Sequence, residues 1–90
     1  MAKSYQISIK GRVQGVFYRA SMRYKARELG VTGFVKNMSD GSVYAEIEGG
    51  EEILAKMIEW CKLGPAGAKV DEVKFVEQPG RAYSSFEIVR

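Results

Sequence analysis

Val31-Thr32-Gly33-Phe34-Val35-Lys36-Asn37-Met38-Ser39-Asp40-Gly41-Ser42-Val43-Tyr44-Ala45-Glu46-Ile47-Glu48 reads as two strands folded back on a short turn. Val31 to Met38 and Ser42 to Glu48 flank Ser39, Asp40 and Gly41, and a short loop with glycine last is the usual chemistry of a tight hairpin. In the second strand Val43, Ala45 and Ile47 alternate with Tyr44, Glu46 and Glu48, so one face packs and the other meets water. A three-residue loop would place Val31, Gly33, Val35 and Asn37 on the packed face, since register carries every side chain with it.

Upstream of the hairpin, Met22, Ala26 and Leu29 recur at helical spacing and stop at Gly30, which predicts a helix from about Tyr18 to Leu29. Before it, Tyr5, Ile7, Ile9, Gly11 and Val13 alternate with polar residues, a half-buried strand. Downstream, Glu51 and Glu52 favour the positive end of a second helix whose apolar stripe is Leu54, Met57, Ile58 and Cys61, and Gly64-Pro65 closes it. Val70 to Glu77 and Ser85 to Val89 read as strands separated by a Pro79-Gly80 turn.

The order is β-α-β-β-α-β with an extra C-terminal strand, the split β-α-β pattern of a ferredoxin-like α+β sandwich. That pattern predicts an antiparallel sheet covered on one face by two helices. Strands one and two run parallel with strand three between them, joined by a right-handed crossover through the first helix. Their C-terminal ends share an edge, so the loop around Gly15 and the residue Asn37 approach one another across two strand spacings of about 4.8 Å each.

Ninety residues, 46% of them apolar, suffice for one core, and the chain reads as a single domain over 1–90. A net charge of +3 without any block of like charge mildly favours an anionic ligand and gives little support to nucleic acid. One cysteine, Cys61, allows neither an intramolecular disulfide nor a cysteine-rich metal site, which fits a reducing cytoplasm. The start, Met1-Ala2-Lys3-Ser4, has no apolar signal core, and no apolar run is long enough for a membrane span. The expectation is a cytoplasmic protein.

Gly11-Arg12-Val13-Gln14-Gly15-Val16-Phe17-Tyr18-Arg19 passes from a strand through a glycine-containing loop into a helix. Free amides of such a junction converge, and the helix dipole adds partial positive charge, so it suits an anion. Arg19 at its rim could grip two phosphate oxygens in a fork that lysine cannot reproduce. The plainer reading is an ordinary turn with a solvated arginine. No Walker-type phosphate loop is present. Asn37 is unusual in a strand; it serves either as a turn former or as an amide able to hold a water in line with a phosphate.

Two stretches resemble the signatures of the acylphosphatase family. One is Gly11-x-Val13-Gln14-Gly15-Val16-x-Tyr18-Arg19, with Tyr18 where Phe or Met is more usual, and the other is Gly33-Phe34-Val35-Lys36-Asn37-x3-Gly41-x-Val43-x5-Gly49. Trp60, Gly64, Pro65, Ala68, Val70, Val73 and the closing Phe86-x-Ile88 extend the likeness over nearly the whole chain. The resemblance implies hydrolysis of acyl phosphates to a carboxylate and inorganic phosphate. Arg19 and the backbone amides of Gln14, Gly15, Val16, Phe17, Tyr18 and Arg19 would bind the phosphate, and Asn37 would orient the attacking water. Tyr18 is expected to affect packing beneath the loop.

An acyl phosphate expels a carboxylate whose conjugate acid has a pKa of about 4, so a chain without histidine needs no proton donor for the leaving group. No metal or organic cofactor is expected. Asp40, Glu46, Glu48, Asp71 and Glu72 read as a turn residue and solvated charges, Cys61 as core, and Trp60 and Leu63 as packing residues. The rivals are an RNA-binding module or a small-molecule regulatory module of the same fold. Acids at Glu46 and Glu48, where bases would stack, argue against the first. The expected partner is therefore a small acyl phosphate, with neither nucleic acid nor membrane, acting on a monomer.

Overall fold

The hairpin forms in the expected register, with Gly33, Val35 and Asn37 opposite Ile47, Ala45 and Val43. In the computed structural model, which describes residues 2–89, its strands are β2 (Thr32–Asn37) and β3 (Val43–Gly50). The other elements are β1 (Ala2–Arg12), α1 (Tyr18–Leu29), α2 (Glu51–Leu63), β4 (Lys69–Gln78) and β5 (Phe86–Ile88). Strand β1 starts earlier than its apolar alternation because Ala2, Lys3 and Ser4 continue the ladder against Gly50, Gly49 and Glu48.

The sheet order is β4-β1-β3-β2-β5. Four strands pair antiparallel, and β5 adds a parallel edge against β2, so the sheet is mixed. Strand order in sequence did not specify that last pairing. It follows from β5 running alongside β2, where the Gly33 amide donates to Ser85 O at 2.9 Å and the Val89 amide to Val35 O at 2.9 Å. Gly33 has no room for a side chain, since an added Cβ would collide with the backbone carbonyl of Glu46.

One sheet face carries the core. Ile7, Ile9, Val35, Ala45 and Ile47 are buried with Met22 and Ala26 of α1 and Leu54, Met57, Ile58 and Cys61 of α2. Removing a buried leucine such as Leu54 to alanine would cost about 2 to 5 kcal/mol. Helix α1 ends where Gly30 turns left-handed and the Val31 amide donates back to Ala26 O at 2.8 Å, satisfying carbonyls the helix would otherwise leave open. Trp60 is half-buried against Tyr18, with ring centroids 5.3 Å apart, but Leu63 is 74% exposed and takes no part in packing.

The opposite face is less wet than alternation implied. Residues 79–85 cross it as a strap, and Glu46, expected as a solvated charge, is only 8% exposed. Its carboxylate accepts hydrogen bonds from the hydroxyls of Tyr44 (2.6 Å) and Tyr83 and from Gln78 Nε2 (2.9 Å), with Arg81 3.8 Å away. Glu48 accepts from the backbone amides of Arg81 (2.7 Å) and Ala82 (3.1 Å), pinning the strap. Tyr83 then packs edge-on to Phe34.

Candidate active site

The C-terminal ends of β1 and β2 do lie at one edge of the sheet, on either side of β3. Between Arg12 and Tyr18 the chain turns sharply: Gly15 has φ +74° and Phe17 φ +62°, while Val16 between them is not left-handed. Such alternation of backbone hands tips successive N–H groups toward one point, the geometry of an anion nest. For a phenylalanine the left-handed conformation costs about 1 to 2 kcal/mol, whereas Gly15 adopts it without a side-chain penalty.

Phe17 is also the N-cap of α1, and its carbonyl accepts from the Ser21 amide at 3.0 Å. Its side chain caps nothing, and no acid occupies the first turn. Serine, aspartate or a first-turn carboxylate would ordinarily answer the free amides and the positive dipole end there. Among the described residues, the amides of Gly15 to Ala20 have no backbone acceptor. This helix start is open to an anion from outside.

A cavity of about 270 Å³ lies at this point, with Gly15, Phe17, Tyr18, Arg19 and Asn37 in its walls. Arg19 and Asn37, distant in sequence, thus face one space. Within the Asn37 side chain, Oδ1 is buried and has no hydrogen-bond partner among the described residues. Leaving a buried acceptor unpaired costs about 1 to 3 kcal/mol, so the position is poor for stability and leaves the oxygen free to accept from a donor that the protein does not supply. As a mere turn former, the asparagine would bond its own hairpin. Asp40 does that instead, its Oδ1 accepting from the Ser42 amide (2.9 Å) and hydroxyl (2.6 Å). The Ser42 bonds hold the Asp40 carboxyl below its ordinary range.

A profile of the Acylphosphatase family matches residues 5–88. An acylphosphatase of Thiobacillus denitrificans is 47% identical over 85 residues, 94% of each chain. Among solved structures, an acylphosphatase from Coxiella burnetii superposes with a TM-score of 0.95 at 38% identity, over 98% of this chain and 93% of its own. Another from Bacillus subtilis gives 0.94 at 34%, over the whole of both chains. The chain belongs to the acylphosphatase family.

Not every residue of the first acylphosphatase signature reaches the cavity. Gln14 and Val16 do not line it; Val16 packs against the core, and Gln14 turns to the hairpin. Gln14 Nε2 donates to Met38 O at 2.7 Å and to Ser42 O at 2.8 Å, one carbonyl on each side of the β2–β3 turn. The amide side chain ties the nest to the strand end that carries Asn37. Reading the signature for its backbone amides missed this role, and only the glutamine's two donors on one nitrogen could have signalled it.

Tyr18, the departure from the usual signature, is buried beneath the loop. Its hydroxyl donates to Cys61 O at 2.7 Å, and burial drives its pKa up, so it stays a neutral donor. The polar tip of the ring has found its partner in α2, and its role is packing, as expected. Cys61 is likewise core: burial pushes the thiol up to about 12, far from a reactive thiolate. Among the described residues no three His, Cys, Asp or Glu side chains gather as metal ligands, and no helix is long and apolar enough to cross a membrane.

Proposed function

We propose that this chain hydrolyses acyl phosphates by direct attack of water on phosphorus. The Arg19 guanidinium and the amides from Gln14 to Arg19 hold the phosphate, and Asn37 holds the water. Oδ1 accepts a hydrogen bond from that water and turns its oxygen lone pair toward phosphorus. The water oxygen forms the new P–O bond as the bond to the acyl oxygen breaks, and the electron pair leaves with the carboxylate. The water's proton passes to a phosphate oxygen. Membership of the family supports the reaction, and the single observation that carries the division of roles is the buried, unpartnered Asn37 Oδ1 in one cavity with Arg19.

No general acid is needed, because the departing carboxylate is stable at neutral pH. Acceleration comes from positioning and from fixed positive charge around the equatorial oxygens of a loose transition state. Hydrolysis of benzoyl phosphate in water enriched in heavy oxygen tests the route: the label should enter inorganic phosphate. Label in benzoate instead would mean attack at the carbonyl and would refute the roles given to Arg19 and Asn37. Inorganic phosphate should compete with substrate, and a chelator should not change the rate.

Three features count against the nucleic-acid reading of the fold. Tyr44 is engaged with Glu46, Tyr83 packs on Phe34, and the carboxylates of Glu46 and Glu48 occupy the face on which bases would stack. We take the working unit to be a monomer, which sedimentation at assay concentration checks.

A further inference from the structure

Phe17 is 82% exposed, although it occupies a backbone conformation that glycine would adopt more cheaply. Its ring neither caps α1 nor joins the core. A large side chain held in a strained conformation without an intramolecular contact to show for it points to a role toward a ligand. Phe17 lines the same cavity as Arg19 and Asn37, and the neighbouring wall is apolar, from Val13, Ala20 and Ile88. Arg19 is the single charge in that wall among the described residues, and the reading above gives it to the phosphate. Arg23 lines a second depression with Tyr24 and Arg27, which adjoins this one at Ala20.

We propose that Phe17 is a specificity-determining residue, its ring covering the acyl group, so that the enzyme prefers acyl phosphates with a flat or branched apolar acyl part over acetyl phosphate. The inference rests on the acyl phosphate reading above and adds the substrate class. Phe17 is thus left-handed, exposed and at the wall of the cavity at once, which puts its side chain at the rim. Phosphate is held inside, and whatever is bonded to it must leave past the ring.

The test compares kcat/KM for benzoyl and acetyl phosphate in the wild type, Phe17→Ala and Phe17→Leu, together with inhibition by inorganic phosphate. Comparing variants cancels the intrinsic reactivity of each substrate. The benzoyl-to-acetyl ratio should fall about fivefold in Phe17→Ala, mostly through KM, with a smaller fall in Phe17→Leu. Inorganic phosphate has no acyl group, so its inhibition constant reports on the cradle alone. If both substrates and phosphate weaken by one common factor, the ring acts only by holding the loop and the proposal falls. If the wild type hydrolyses neither of these, binding of benzoylphosphonate against acetylphosphonate decides the matter separately. A benzoyl preference erased in Phe17→Ala would keep the ring's role while hydrolysis fails, and equal affinities would end it.

Discussion

The edge of the sheet at the β1–α1 loop and its open face under residues 79–85 treat polar groups in opposite ways. On the open face each buried polar group is answered: Glu46 by two tyrosines, Gln78 and Arg81, and Gln78 in turn by a contact with Ser4 Oγ at 2.9 Å. At the edge, a row of amides and the Asn37 oxygen are left without partners among the described residues. Both regions are rich in hydrogen-bonding groups, so polarity alone does not tell them apart. Satisfaction by the protein does, because a group without an internal partner must find one outside, in water or a ligand. The paired region holds the fold, and the unpaired one is where we place the substrate.

Asn37→Ala should produce the largest effect. Loss of the water-orienting oxygen should lower kcat about 100- to 1,000-fold, the range seen when one preorganised donor is removed from an active site. Stability in urea should hold or rise by up to about 1 kcal/mol, because an unsatisfied acceptor disappears. Calorimetry should still detect phosphate binding, and if affinity vanishes with turnover, Asn37 is a phosphate ligand. Next comes Arg19→Lys, which keeps the charge but loses the planar fork. A fall in kcat/KM of about 50-fold, with weaker inhibition by phosphate, is expected. Full turnover in that variant would remove Arg19 from the site.

The open face should answer in the reverse sense. Glu46→Ala strands the hydroxyls of Tyr44 and Tyr83 and the Gln78 amide, and should cost about 2 kcal/mol in urea unfolding while kcat at moderate temperature changes little. A catalytic loss without a stability loss would mean the strap serves the site. The same carboxylate gives the fold a pH dependence. Burial works to raise the Glu46 pKa, but the hydrogen bonds from Tyr44, Tyr83 and Gln78 and the Arg81 charge outweigh it and hold the group below its ordinary 4.5. A depressed folded pKa means the folded state binds fewer protons than the unfolded one, so the stabilisation is whole above pH 4.5 and fades as pH falls through the folded value. Glu46→Gln should flatten that acid limb. An unchanged limb would assign it to other carboxylates such as Asp40 and Glu87, which are also lowered.

The contrast also explains what the sequence could tell. Helix α1 was legible to the residue because apolar spacing and a glycine stop are local signals, and the register that brings Asn37 to the packed face followed from one three-residue turn. Arg19 and Asn37 were legible as candidates because a strand order alone carries them to one edge. Glu46 was misread because three of its partners, Gln78, Arg81 and Tyr83, arrive from the end of β4 and a strap whose path no periodicity encodes. The parallel pairing of β5 and the exposure of Leu63 are likewise tertiary outcomes. Phe17 hid for another reason. Positive φ is expected of glycine, so the loop's curl was read at Gly15 and not at the aromatic two residues on.

The smallest expected effect probes the tie that the Gln14 side chain makes between the nest and the strand end. Gln14→Ala removes two donors that hold Met38 O and Ser42 O, while the Gln14 amide and the rest of the cradle stay. With only position at stake, kcat should fall about fivefold, equivalent to roughly 1 kcal/mol for a net hydrogen bond, and inhibition by phosphate should hardly move. Gln14→Glu separates the tie from simple bulk. Glutamate has the same shape but offers lone pairs, not protons, to the two carbonyls, and adds negative charge beside the anion site. It should therefore be about two- to threefold worse than alanine, through kcat for the lost tie and through KM for the repulsion of phosphate. If Gln14→Glu instead matches the wild type, shape alone suffices, and the hairpin finds its place without being held.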